Sequence, residues 1–191
     1  KYKRSHGTEH YNFVYSFIVS NQSIKINDYN RLLKDLNGLT EEEFLNKLRE
    51  DFQIHDKGEA PYFPSQKFHI SMYLSGKFYS LHVKHSIREE HKNDNDLDHH
   101  LVNKYIFENI LGIENAKHTD KIIYQKGTSD IKGIIELKEK VDSGEYKVAF
   151  GIYPISFTDL LKISDKEIKM PPKCTFIEPK LITALMMYDM K

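Results

Sequence analysis

The chain has 191 residues, of which 39% are hydrophobic and 12% aromatic, and this composition favours one folded domain with a core of its own. The 28 Lys and Arg balance the 28 Asp and Glu, so no net charge draws the chain to nucleic acid or anionic lipid, and we expect neither as a partner. The single cysteine, Cys174, excludes an internal disulfide and favours a cytoplasmic location. No apolar run reaches the roughly 18 residues of a membrane-spanning helix.

Alternating apolar residues predict the strands of the first half of the chain. The pattern places them at Tyr11–Val19, at Ser23–Asn27, and in a hairpin over Phe68–Val83. Between these strands, Thr40 and Glu43 have the spacing of a capping box, which predicts that a helix begins there. The first half is therefore expected to be mostly β.

In the second half, helical and strand patterns alternate. The predicted elements are a helix over Leu97–Leu111, a strand at Ile122–Gln125, a helix over Ile131–Val141, a strand over Tyr146–Ile152, a short helix capped by Ser156 and Asp159, and a long apolar strand at Leu181–Met190. This order predicts an α+β (mixed α/β) fold, with a mixed, largely antiparallel sheet and about four packed helices. A polar run near residues 86–96 is only a weak boundary, so residues 1–191 are expected to form a single domain.

Ten histidines raise the question of a metal site, because five of them crowd one region: His82, His85, His91, His99 and His100. Zinc ligands must converge on one point. On a strand, residues 82 and 85 point to opposite faces, and on a helix residues 99 and 100 diverge by about 100°. Asp94, Asp96 and Asp98 mimic the start of a calcium loop, but His99 and Tyr105 stand where that loop needs Gly and Glu. We therefore predict no metal site.

The stretch from Met170 to Lys180 is the best candidate for a binding segment, since the sequence contains no Gly-rich phosphate loop, dinucleotide fingerprint or nucleophile elbow. Two prolines in Met-Pro-Pro fix an extended backbone before Lys173. Lys173, Thr175 and Lys180 then offer two cations and a hydroxyl, which suit phosphate or carboxylate. The alternative is a surface connector whose lysines only provide solubility.

The same stretch resembles the C-terminal signature of a prokaryotic family of domains of unknown function, number ten-fifteen. Family members typically read Met-Pro-Pro-Lys-Ser-Thr-aromatic-Phe-x-Pro-Lys-Leu where this chain has Cys174 in place of the Ser, and Ala184 replaces a usual Gly shortly afterwards. Three further segments are similar to family patterns: Tyr29-Asn30-Arg31 at the end of a strand, Leu97–Ile113 as a helix ending in Leu-Gly-Ile, and Tyr124–Pro154 as Tyr-x-x-Gly, helix, Gly, strand and Pro.

The resemblance also implies what this chain is part of. The family's Asp-Gly-His-His-Arg element normally precedes the position of Lys1, so the chain, which opens Lys-Tyr-Lys-Arg, looks like the C-terminal half of a longer protein. That element resembles one found in enzymes with the ParB/sulfiredoxin fold, some of which are nucleotide-dependent serine kinases. The intact protein is then expected to bind a small anionic ligand or nucleotide, with Mg²⁺ as a possible cofactor, and to transfer phosphate.

Three hypotheses follow for this half. It contributes Arg31, Lys173, Thr175 and Lys180 to a phosphoryl-transfer site shared with its own N-terminal half, and is inactive alone. Alternatively, it is a ligand-binding or regulatory module without catalysis. In the third hypothesis it is a protein-interaction scaffold, and the segment around Lys173 then lies far from Arg31.

Overall fold

The computed structural model describes residues 16–91, 97–114, 119–167 and 169–180. The chain divides into two compact units, one formed by Lys1–Lys25 with Ile177–Lys191 and the other by Ile26–Phe176. In the described part of the first unit, Asn21–Ser23 form a short 3-10 turn. No helix in the described ranges has both the length and the hydropathy needed to cross a membrane.

The strand predicted at Tyr11–Val19 is wrong over the part that the structure describes. Residues 16–19 form no strand, and the Phe17 and Ile18 side chains are 52% and 90% exposed. Alternating apolar residues indicate only that one face of a strand could be buried, and they do not provide a neighbouring strand to pair with. Residues 11–15 and the strand predicted at Leu181–Met190 lie outside the described residues.

The described elements confirm the predicted α+β class. The strands are β1 (Lys25–Asn27), β2 (Tyr29–Leu33), β3 (Phe52–Gly58), β4 (His69–Leu74), β5 (Lys77–Val83), β6 (Ile122–Lys126), β7 (Val148–Ile152) and β8 (Phe176–Glu178). The helices are α1 (Glu41–Asp51), α2 (His85–Glu90), α3 (Asp98–Leu101), α4 (Ile131–Asp142) and α5 (Phe157–Asp165), and α3 continues as a π-helix over Val102–Glu108. Six strands form one sheet in the order β3-β5-β4-β7-β2-β6, with every neighbouring pair antiparallel, and β1 and β8 form a separate two-stranded sheet.

Helices cover both faces of the six-stranded sheet because its central strands are apolar on both sides. Helix α1 and the Asp98–Glu108 helix pack on the face that presents Phe150, and α4 packs on the opposite face against Ala149. Helix α1 begins at the predicted capping box, in which Thr40 Oγ1 accepts from Glu43 N and the Glu43 carboxylate accepts from Thr40 N. As a result of this two-sided cover, every residue of β2 and of β7 is buried.

The loop between β6 and α4 is fixed by the carboxylate of Asp28, the residue between β1 and β2. Asp28 is buried, its Oδ1 accepts hydrogen bonds from Ser129 N at 3.0 Å and Ser129 Oγ at 3.1 Å, and its backbone oxygen accepts from Gly127 N. A Cβ atom on Gly127 would overlap the Asp28 carboxylate. The close approach therefore requires glycine at this position, which is the Gly of the Tyr-x-x-Gly pattern.

We expect Gly127→Ala to lower the free energy of unfolding by about 2 kcal/mol or more, because the added methyl group collides with a buried, hydrogen-bonded carboxylate. The same substitution made in an Asp28→Ala background should cost far less, since the colliding group is then absent. Urea unfolding of the four proteins of this cycle measures both values. An equal cost in the two backgrounds would show that Asp28 is not the reason for the glycine.

Asp98, the first residue of α3, is a buried acid that holds the start of β4. Its Oδ1 accepts a hydrogen bond from Phe68 N at 2.9 Å, and its side chain is 4% exposed. Burial raises its pKa from 3.8 to about 7, against the opposing effects of that hydrogen bond and of nearby cations. Because the pKa of Asp98 in the folded state lies above the ordinary value, protonated Asp98 contributes to the free energy of unfolding. This contribution is complete below pH 3.8 and is lost as the pH rises through about 7.

We expect Asp98→Asn to raise the free energy of unfolding at pH 8 by roughly 2 to 4 kcal/mol and to change it little at pH 4. The amide oxygen still accepts from Phe68 N, while the buried charge is removed. Urea unfolding at the two pH values measures the effect, with the exposed Asp165→Asn as the matched control. A gain at pH 8 no larger than that of the control would contradict the role assigned to Asp98.

Candidate anion-binding site

Arg31 lies in the middle of β2 and its side chain is fully buried, with 0% exposure. Its guanidinium carbon lies 4.4 Å from the centroid of the Tyr124 ring, on the paired strand β6, and its Nη1 donates to the Tyr29 backbone oxygen at 2.8 Å. Among the described residues, its Nε and Nη2 atoms have no hydrogen-bond partner. Two donors of a buried guanidinium are thus left without an acceptor from the described part of the chain.

The charge of Arg31 is also not balanced by any acid of the described residues. Burial lowers its pKa to about 10, so the side chain remains a cation at neutral pH. Burial raises the pKa of both the Tyr124 phenol and the Cys174 thiol, so these neighbours stay neutral. No carboxylate forms an ion pair with Arg31 in the ranges that the structure describes. A buried cation without a counter-charge is costly, which marks this place as one where an anion would be stabilised.

A second buried polar group, His99 of α3, is close enough for the charge of Arg31 to lower its pKa. The His99 ring is fully buried, and burial together with the nearby Arg31 charge holds its pKa well below the ordinary value of 6.5. Neither ring nitrogen has a hydrogen-bond partner among the described residues, and the Asn103 Oδ1 atom, about one helical turn further on, is likewise buried without one. The interior of the protein therefore contains several polar atoms on α3 and the following π-helix that the described residues do not satisfy.

The segment around Lys173 lies beside Arg31, although it is not extended as predicted. Pro172 and Lys173 form a turn, and Lys173 has a φ of 54°. The prolines fix their own φ angles but leave Lys173 free to reverse the chain. The turn buries Cys174, whose Sγ donates to the Pro171 oxygen at 3.0 Å. Burial raises the pKa of this thiol, and the charge of Arg31, which is close enough to act on it, opposes part of that rise.

Contacts with Tyr29 fix the position of this turn. The Lys173 Nζ atom lies 5.7 Å from the centroid of the Tyr29 ring, and the Phe176 ring packs edge-on against the same tyrosine at 6.3 Å. Tyr29 and Arg31 are two residues apart in β2, so the turn packs on the strand that carries Arg31. The scaffold hypothesis, by contrast, expects the turn to lie far from Arg31. Thr175 is partly buried in the same segment. Lys180 is exposed and belongs to the other compact unit, so its participation stays a prediction.

The described histidines cluster differently from the sequence expectation. His82 of β5 stacks on His69 of β4, with ring centroids 3.8 Å apart and an interplanar angle of 8°, and His55 of β3 lies 4.8 Å from it on the other side. Burial and the neighbouring imidazoles lower the pKa of His82 to about 4, so this middle imidazole is neutral at physiological pH. Strand pairing, rather than closeness in sequence to His85, brings these rings together.

The Mg²⁺ that the family resemblance implies finds no matching ligand set here. Within the four described ranges, no three His, Cys, Asp or Glu side chains are arranged to hold a metal ion. We therefore derive no step through a metal from the residues of this chain.

Sequence reasoning selected Arg31 and the Lys173 segment but missed His99 as a polar group of this site. His99, Val102 and Ile106 have the spacing of one helical face, and all three are buried. That spacing could have indicated which of the two adjacent histidines points inward.

Comparisons with known proteins place the chain in a family. It is similar to the solved structure of a conserved hypothetical protein from Pyrococcus furiosus, with 12% identity and a TM-score of 0.51 over 82% of this chain and 57% of that one. It is also similar to a free serine kinase variant in complex with AMP, with 15% identity and a TM-score of 0.50 over 82% of this chain and 55% of that one. The chain thus spans little more than half of either structure, and the likeness shows the fold alone. No curated protein matches. A family model described as "Protein of unknown function (DUF1015)" matches residues 1–104, more than half of the sequence, and the chain therefore belongs to this family.

Proposed function

We propose that this chain supplies the cationic part of a site for a phosphorylated ligand, and that the ligand class is a nucleotide. The observation that carries the proposal is the buried Arg31 guanidinium, whose Nε and Nη2 lack hydrogen-bond partners among the described residues. The turn at Lys173 packs on Tyr29 of the same strand. A guanidinium presents its donors in a planar fork that matches two oxygens of a phosphate or carboxylate. Lys173 and Thr175 add a flexible cation and a hydroxyl at the margin of the same site.

Electrostatics favour an anion over a neutral ligand at Arg31. A cation taken out of water is stabilised only when an opposite charge and hydrogen bonds replace its hydration. The Tyr124 ring and the Tyr29 carbonyl provide part of that replacement, but they leave the net charge in place. Binding of an oxyanion would supply both the missing charge and the missing acceptors.

The fold supports a nucleotide as the source of the phosphate. One structure of similar fold is a free serine kinase variant in complex with AMP, of which this chain spans 55%. Transfer of phosphate is accordingly proposed for the longer protein and not for this chain by itself. A regulatory module that binds the same ligand without turnover is the alternative, and turnover of ATP or ADP by the longer protein separates the two.

We expect Lys173→Ala in the longer protein to weaken binding of ADP by at least about tenfold, which corresponds to roughly 1.4 kcal/mol. Stability should change little, because Lys173 is exposed. Isothermal titration calorimetry at low salt measures the affinity. The matched control is Lys140→Ala, since Lys140 also places its ammonium over a tyrosine ring, 5.9 Å from the Tyr146 centroid, but on α4.

Equal ADP affinities of the Lys173→Ala and Lys140→Ala variants would leave the turn as a surface connector. Loss of ADP binding in both variants would point to a general effect of surface charge and would contradict a local site.

A further inference from the structure

We infer that Lys126, the last residue of β6, is a further binding residue of the site at Arg31, and that the ligand of this site carries two linked phosphates, as a nucleoside diphosphate does, rather than one. The inference rests on the proposed function, because Lys126 binds the same ligand. Sequence reasoning did not select Lys126, since its place beside Arg31 depends on the register between two strands that are far apart in the chain.

The pairing of β2 with β6 places Lys126 on the same face of the sheet as Arg31. Lys126 lies directly opposite Tyr29, and Tyr124 lies directly opposite Arg31. Directly opposite residues of an antiparallel pair share a face, and so do residues two apart on one strand. Aromatic rings and cations therefore alternate over these four positions. Lys126 is the diagonal neighbour of Arg31, at a separation of roughly 7–8 Å, which long side chains can bridge.

The Phe176 ring connects Lys126 with the turn at Lys173. The Lys126 Nζ atom lies 4.1 Å from the centroid of the Phe176 ring, which packs edge-on against Tyr29 at 6.3 Å. The Lys173 Nζ atom lies 5.7 Å from the centroid of Tyr29. Two ammonium groups from separate parts of the chain are thus held at one pair of aromatic rings. A ring face attracts a cation but carries no net charge, so both ammonium charges stay available to a ligand.

Three positive charges therefore lie around Tyr29 without an acid that pairs with them. Within the described ranges, neither Lys126 nor Lys173 forms an ion pair with a carboxylate. The acid next to Tyr29 in sequence, Asp28, is buried, and its carboxylate accepts hydrogen bonds from the backbone and the hydroxyl of Ser129 instead. Like charges at neighbouring positions of a sheet destabilise it, and an anion with several negative charges removes that cost.

The exposure of the three cations favours a ligand that extends from solvent to the interior. Lys126 and Lys173 are exposed, whereas Arg31 is fully buried. A single phosphate group carries at most two negative charges at neutral pH, fewer than the three positive charges here. A second phosphate adds charge and a second set of acceptor oxygens, so that one phosphate can contact Arg31 while the other contacts the two lysines. The inner phosphate reaches Arg31 only when neighbouring side chains move, so titrations must be followed to equilibrium.

The test is calorimetric titration of the longer protein with ADP and with AMP, at constant ionic strength and with divalent ions removed. The two ligands differ only in the second phosphate. We expect ADP to bind at least about tenfold more tightly than AMP. Lys126→Met, which keeps the length of the side chain and removes its charge, should weaken ADP binding about tenfold and change AMP binding by no more than about twofold. Urea unfolding should show little change in stability, because Lys126 is exposed.

The matched control is Lys121→Met, which removes an exposed lysine just before the other end of β6. Lys121 Nζ donates to Asn37 Oδ1 at 3.3 Å, and its substitution should keep the preference for ADP. Equal affinity of the unsubstituted protein for AMP and ADP would overturn this inference and leave the proposed anion site standing. A preference for ADP that survives Lys126→Met, or an equal loss of AMP and ADP binding in that variant, would also overturn it. Failure of the unsubstituted protein to bind either nucleotide would instead overturn the proposed function.

Discussion

A positive charge inside the protein, the guanidinium of Arg31, is the constraint around which this end of the sheet is organised. Water cannot solvate it there, so protein groups must replace hydration: the Tyr124 ring lies against one face, and the Tyr29 carbonyl accepts from Nη1. The same charge acts on His99, which it keeps neutral, and on the thiol of Cys174. These groups come from four separate parts of the chain, and their common feature is an interaction with one charge.

The register of β2 against β6 is what places Arg31 opposite Tyr124. This pairing runs from Tyr29 opposite Lys126 to Leu33 opposite Ile122. Beyond the strands, it is continued by the hydrogen bonds that Asp28 accepts from the Gly127–Ser129 loop. A slip of one residue would direct Arg31 to the opposite face of the sheet. The steric fit of Gly127 against the Asp28 carboxylate is therefore part of what positions the candidate site, although neither residue contacts an anion.

The Asp98–Glu108 helix brings the second set of buried polar groups into the same region. Asp98 and His99 are adjacent, so they point in different directions. Asp98 accepts a hydrogen bond from the backbone of Phe68, and the charge of Arg31 acts on His99. The π-helical turn that follows departs from the regular α-helical spacing, and such segments occur frequently at functional sites. One short helix thus contributes both a structural acid, whose charge opposes stability above its pKa, and a buried neutral imidazole.

The sequence by itself determined the α+β class, the β4–β5 hairpin and the capped starts of α1 and α5, because these depend on local periodicity and capping chemistry. It proposed Lys173 as a binding residue from side-chain charge and Arg31 from the family resemblance. Only the tertiary structure decided the sheet order, the absence of a strand over residues 16–19, the turn at Lys173, and the burial of His99 beside Arg31. These features depend on contacts between residues far apart in the chain, such as Arg31 with Tyr124 and Tyr29 with Lys173, and no local pattern encodes them. A histidine and its neighbour have the same chemistry in sequence, and only packing decides which one faces a buried charge.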